Sequence, residues 1–330
     1  MLRAFLIALA VLAAPAAAQD FPVRIHHAFG TATIPNQPAR VVSLSFIGHD
    51  FLLALGVKPH ALRKWYGDHP HGVWPWAQTA LGNAAPVVMQ GEIDIEAIAV
   101  MKPDLIVGQW SGMTENDYRL LSQIAPTIAH RAEWGPYGAP WQEMLRTLGA
   151  ATGHLERAEA EIARLESRFA RIRAAHPDWQ GASAAMVWAG STGAYTSRDI
   201  RGRLLRGLGL TVPAAIDARG GLNVTYVRIP PEDLSPIDVD ALIWLDAGGA
   251  VGRLNNLPLR NTMRAYAEGR EIYSDLMLSA ALSHSSPLSL DYALDRFVPL
   301  LEAAMDGDPA TVVTTSQEAG ILPVEASDAR

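Results

Sequence analysis

The residues in this chain best suited to chemistry are rings and cations gathered at turns, not nucleophile–base pairs. Residues 64–76 (KWYGDHPHGVWPW) bring together Trp65, Tyr66, Trp74 and Trp76 with His69 and His71. So much Pro, Gly and polar residue keeps that segment from being core throughout. Trp65 and Tyr66 are therefore read as faces offered to a ligand, and Trp74 and Trp76, flanking Pro75, as apolar pins. Trp110 and Ser111 follow the apolar run DLIVG, and Ser45 and Phe46 hold the matching place after RVVSL. Ligands of α/β sheets bind beyond the carboxyl ends of strands, so both positions point at a crevice. Tyr195 and Arg198 in YTSR, Arg253 after DALIWLDAGG, and His284 with Ser285 in SHSSPLS add a ring, cations and hydroxyls. Ring faces with a few guanidiniums suit a guest that is partly flat or apolar and partly anionic.

Catalytic signatures are missing. The chain contains no GxGxxG, Walker A, HExxH or GxSxG pattern, and no cofactor is expected. His69-Pro70-His71 offers two imidazoles, but a metal shell would have to draw its other ligands from elsewhere, so no resident metal is assigned. The rival reading is a hydrolase or metal-dependent esterase in which both histidines converge with a Ser, Asp or Glu.

The elements that must position these residues follow an α/β rhythm. Residues 40–44 read as a strand, 49–55 as a helix stopped by Gly56, and 92–101 as a helix ended by Lys102-Pro103. Residues 104–107 form a short apolar strand and 116–124 a helix closed by Pro126. Residues 154–176 (HLERAEAEIARLESRFARIRAAH) space Leu155, Ala158, Ile162, Leu165, Phe169 and Ile172 by three or four, a helix stopped by Pro177. At that length it spans roughly 35 Å and serves as a strut. The pattern then restarts with strands at 182–188, 240–245 and 271–273 and helices at 202–208, 259–268 and 290–304. Pro231-Glu232 opens a further short helix, and the tail from Asp306 is expected to be loosely docked. The organisation expected is a leader at 1–18, an α/β lobe at 19–153, the helix at 154–177, a second α/β lobe at 178–306 and a tail at 307–330. Each lobe carries a mostly parallel sheet flanked by helices.

Arg3, the apolar run 4–14 and Ala16-Ala17-Ala18 mark an export leader too short to span a bilayer. The chain has no cysteine, hence neither a disulfide nor a site for an N-terminal lipid, and the periplasm is the expected location. Charged residues make up only 18%, with a net charge of −7, which supplies no field for gathering nucleic acid. A monomer is expected.

Residues 40–56 (RVVSLSFIGHDFLLALG), 65–82 (WYGDHPHGVWPWAQTALG), 92–108 (EIDIEAIAVMKPDLIVG), 111–126 (SGMTENDYRLLSQIAP), 196–213 (TSRDIRGRLLRGLGLTVP) and 282–309 together resemble the periplasmic iron–siderophore binding proteins of ABC importers. The resemblance implies two α/β lobes joined by one long helix, with a ferric siderophore held between them. It also implies delivery to an importer permease and, through it, an ATPase subunit. Docking would use an exposed acid on each lobe, here Glu96 in DIEAI and Glu232 in PPEDL. Tyrosine is common among relatives where this chain has His69 and His71. Catecholate, hydroxamate and carboxylate chelates stay open as ligands, as do haem, a cobalamin-like corrinoid and bare metal.

Overall fold

The computed structural model describes residues 20–221, 223–246 and 248–322; the expected leader lies outside them. The first elements are an antiparallel hairpin, β1 (Val23–His27) and β2 (Gly30–Ile34). A first α/β unit follows: β3 (Val41–Ser43), α1 (Gly48–Ala54), β4 (Ala61–Arg63), α2 (Pro75–Leu81), β5 (Val87–Met89), α3 (Ile95–Val100), β6 (Leu105–Val107), α4 (Glu115–Leu121) and β7 (Thr127–Ile128). Its five strands are all parallel, in the order β5-β4-β3-β6-β7. β3, β4, β6 and β7 are buried along their whole length, the signature of a sheet covered on both faces.

Two helices lead out of this unit, α5 (Trp141–Thr152) and α6 (Leu155–Ala175). Gly153 turns the chain between them in the left-handed conformation that a helix C-terminus favours. α6 has 21 residues and buries Ala158, Ile162, Leu165 and Phe169, the stripe read from its periodicity.

The second unit runs β8 (Ala184–Trp188), β9 (Gly193–Tyr195), α7 (Ile200–Gly207), α8 (Ala214–Asp217), β10 (Tyr226–Arg228), β11 (Ala241–Leu245), α9 (Val251–Asn255), α10 (Arg264–Ala267), β12 (Glu271–Ser274), α11 (Leu276–His284) and α12 (Pro287–Met305). Its strand order is β10-β9-β8-β11-β12. β8, β11 and β12 are parallel, whereas β9 and β10 add an antiparallel edge. The fold is thus α/β, with two helix-covered sheets.

Three expectations are corrected. Pro231 and Glu232 lie in a turn, and the next helical residues are a single turn at Ser235–Ile237, because Pro236 at its start sets the helical φ. The helix expected at 259–268 is broken into Arg260–Thr262 and α10, since Met263 between them is extended. The tail is docked as far as it is described. It forms α13 (Thr314–Glu318), buries Val313 and Ile321, and places Ser316 on β12, where Oγ accepts from Tyr273 N (2.9 Å) and donates to Glu271 O (2.7 Å).

Candidate ligand-binding site

The carboxyl ends of β3 and β6 release the chain into turns that carry Phe46 and Trp110. Trp110 adopts a left-handed φ of 57° and is fixed there because its Nε1 donates to Tyr137 O at 2.9 Å. Trp65 stands between these rings, with centroids 6.0 Å from Phe46, 5.2 Å from Trp110 and 4.7 Å from Tyr66. Arg63 fastens the wall from behind: its guanidinium lies 4.2 Å from the Phe46 ring and donates to Gly91 O (2.8 Å) and Ser111 O (3.0 Å).

The second unit supplies the opposing wall. β9 and β10 pair Tyr195 with Tyr226, whose rings are 5.2 Å apart. Gly193 leaves room for the Tyr226 ring to lie across it, since a Cβ there would displace that ring. Asp199 caps α7 by accepting from Arg201 N (2.9 Å), which sets Arg201 in the first turn, facing inward. Arg201 is buried; Nη1 donates to Asp199 Oδ1 (2.9 Å) and Nε to Ser283 Oγ (3.0 Å). Its guanidinium lies 4.0 Å from the Tyr195 ring centroid and 5.9 Å from that of Trp65. Burial opposes that charge, but Asp199 and the neighbouring tyrosines outweigh it and the Arg201 pKa is raised. Burial pushes the Tyr66 pKa up to about 12, against the pull of Arg201 and a hydrogen bond with Ser283, so its hydroxyl keeps its proton.

Between these walls lie two adjoining cavities. One of about 420 Å³ is lined by Trp65, Tyr66, Trp188, Tyr195, Arg201 and Tyr226, with Ser191 and Ser283. The other, about 290 Å³, shares Trp65, Tyr195, Arg201 and Tyr226 and adds Trp110, Tyr137, Asp199 and Thr225. The larger groove of about 630 Å³ bounded by Trp141, Phe169, Arg173 and Arg206 lies along α5, α6 and α7 and shares no residue with either.

Four expected residues meet here: Trp65, Tyr66, Trp110 and Tyr195. The others are placed elsewhere. Arg198 donates to Gly221 O (3.0 Å) and lies outside both linings; the inward cation is Arg201, one helical turn further on. Arg253 is exposed on α9 in a separate groove with Arg228 and Glu232, which meets the site only at Ser191. Ser45 is fully buried and its Oγ accepts from Gly48 N (2.9 Å), holding the start of α1. Ser285, in a left-handed turn, donates to Leu282 O (2.7 Å) and ends α11. His284 is sealed with no exposed surface; its Nδ1 is 2.8 Å from Ala280 O, and burial lowers its pKa to about 4. Nor do His69 and His71 converge on a catalytic partner. The His69 ring packs 4.4 Å from Trp74, His71 is exposed, and neither side chain makes a hydrogen bond among the described residues. Among those residues no three His, Cys, Asp or Glu side chains are arranged to hold a metal.

Trp188, Ser191, Tyr226, Arg201 and Ser283 were not singled out in the sequence. The signal available for Arg201 was Asp199, a helix-capping residue that starts α7 immediately before it.

The pattern of the periplasmic binding protein family matches residues 41–275, and the chain belongs to this family. Among curated proteins it is 28% identical over 279 residues to the ferric enterobactin-binding periplasmic protein FepB of Escherichia coli, covering 78% of this chain and 86% of that one. It is 29% identical over 230 residues to the probable siderophore-binding lipoprotein YfiY of Bacillus subtilis, covering 67% of each. Among solved structures, a periplasmic solute binding protein of Mycobacterium smegmatis superposes with a TM-score of 0.75 at 32% identity, covering 86% of this chain and 98% of that one. Streptococcus pneumoniae PiaA in complex with ferrichrome gives 0.73 at 26%, covering 86% and 99%.

Proposed function

We propose that this chain captures a ferric siderophore in the periplasm and delivers it to an ABC importer. The observation that carries this reading is the open, ring-walled cavity with a buried guanidinium at its base. A ferric chelate arrives with its metal already coordinated by organic oxygens, so the protein need supply no ligand to the iron. It has to cover the chelate's apolar rim and donate to its ligand oxygens. Trp65, Trp110, Tyr195 and Tyr226 do the first by ring contact. Arg201 does the second, since Nη2 makes no protein hydrogen bond among the described residues. The names of the relatives, FepB and YfiY, point to the same cargo class.

In this reading the lobes are residues 19–153 and 178–306, with 154–177 between them, and the mature chain is a monomer. Glu96, exposed in the first turn of α3, and Glu232, exposed in the turn after Pro231, are the docking acids. Two separated carboxylates orient a two-lobed protein over a two-subunit permease. No catalytic step is required.

Titration of tryptophan fluorescence with ferric chelates tests the cargo class. Saturable quenching is expected from at least one, because the chelate seats against Trp65 and Trp110. Absence of quenching by every ferric chelate, together with binding of haem or turnover of esters that depends on His69, would overturn the reading. Glu96→Ala with Glu232→Ala should leave that titration unchanged and impair uptake by cells; normal uptake would remove the docking assignment.

A further inference from the structure

The inference concerns which ferric chelates the site selects, and it rests on the ferric-chelate reading above. Among the described residues that line the two cavities, one side chain is basic and one acidic, Arg201 and Asp199, and Arg201 pulls the Asp199 pKa down against the larger, raising effect of burial. They lie two residues apart, both buried, in contact at 2.9 Å. Their charges cancel, so the surface offered to the guest is rings and hydroxyls around a neutral pair. Other cations stand outside both linings: Arg63 behind Phe46 donates to Gly91 O and Ser111 O, Arg203 donates to Gly138 O, and Arg228 and Arg253 are exposed in the outer groove beside Glu232, where solvent screens them.

Ferric chelates differ in the charge they bring. Three hydroxamates balance ferric iron and leave the complex neutral, whereas three catecholates leave it with three negative charges. A tri-anion entering this cavity would give up water for rings and meet no net positive charge. A neutral complex loses much less on leaving water, and gains the same ring contact.

We propose that Asp199 is a specificity-determining residue: by neutralising Arg201 it sets the cavity for net-neutral ferric chelates of the hydroxamate type and against tri-anionic catecholates. Asp199 acts through Arg201, holding the guanidinium in place while cancelling its reach toward an anion. The N-cap role alone does not explain a carboxylate here. Asn and Ser cap as well, and an uncharged cap would have left Arg201 a full cation facing the guest.

The test measures dissociation constants for two probes, ferrichrome and ferric enterobactin, on the full-length mature protein and on Asp199→Asn. The Asn side chain keeps both the shape and the cap acceptor. The unaltered protein should bind ferrichrome tenfold or more tightly than ferric enterobactin. Asp199→Asn should shift that ratio about tenfold toward the tri-anion, with the gain diminishing in high salt. Ser191→Arg, which adds a cation at the rim without touching the pair, should shift it the same way and serves if Asp199→Asn does not fold. Preference of the unaltered protein for ferric enterobactin would overturn the selector and leave the ferric-chelate reading standing. An equal loss of both probes in Asp199→Asn, with Ser191→Arg shifting nothing, would reduce Asp199 to a structural cap. Binding of neither probe nor any other ferric chelate would instead sink the reading beneath.

Discussion

Residues 64–76 supply rings to two regions that resemble one another in composition and differ in fate. Trp65 and Tyr66 are half-buried and line the cavity, while Trp74 is sealed and Trp76, also half-buried, lines neither cavity. What separates them is what stands behind each ring. Trp74 and Trp76 stack at 5.0 Å, nearly parallel. Trp76 Nε1 donates to Asp50 Oδ2 (2.7 Å), which also accepts from Ser286 Oγ (2.9 Å). His284 completes the layer, 5.4 Å from Trp76 and 5.8 Å from Trp65. Trp65 has no such acceptor for its ring nitrogen among the described residues and is held by other rings. Ring density alone therefore does not distinguish wall from floor. The distinction lies in what covers each ring: Trp74 is enclosed by Tyr66, His69 and Trp76, whereas Trp65 lines the cavity.

Substitution should separate the two regions most clearly in stability. Trp74→Ala empties a sealed position and should cost about 3–5 kcal/mol, read by denaturant unfolding. Trp65→Ala should cost far less stability but weaken ferric-chelate binding roughly tenfold in fluorescence titration. Equal stability losses in the two variants would dissolve the contrast.

The floor should also respond to acid. His284 is held at a pKa of about 4, below its ordinary value, because burial penalises the imidazolium. The unfolded chain therefore binds a proton at a pH where the folded one does not. Stability should fall as pH drops from about 6.5 to 4, by on the order of 3 kcal/mol. Burial lowers the His49 pKa too, and this adds to the slope. A His284→Asn variant should flatten the unfolding-versus-pH curve over that window; an unchanged slope would show that the imidazole is not the source. The smallest effects belong to Arg198→Ala and Arg253→Ala, which should leave the dissociation constant within about twofold, since neither side chain lines the cavity.

Much of the scaffold was legible in the residues. RVVSL, DLIVG and DALIWL are apolar runs that only a doubly covered sheet accommodates, and α6 follows its three-and-four spacing to within a residue at each end. Trp65, Tyr66, Trp110 and Tyr195 were read from rings in turns, and all four line the two cavities. Arg198 and Arg201 show where sequence reading stops. Both sit in TSRDIR, and the capping of α7 by Asp199 decides which of them turns inward. SHSSPLS reads as a polar loop, yet every residue from Ser283 to Ser286 is buried. Ser286 and Ser289 form a capping box with Pro287 at the first helical position, so those hydroxyls are spent on helix ends and not on solvent. Nothing local to the segment signals that Asp50, 236 residues away, waits to receive Ser286.

That last hydrogen bond bears on how the chain reaches its native state. α12 packs against α1 and α2 as well as against β11 and β12, and Tyr292 on it lies 5.7 Å from Trp76. The amino-terminal half thus cannot finish its own interior while the carboxy-terminal residues are still being delivered. A fragment ending before Pro287 would lose the cover that Tyr292 gives Trp76 and should aggregate more readily than the whole chain, as expected if the last long helix closes the first half.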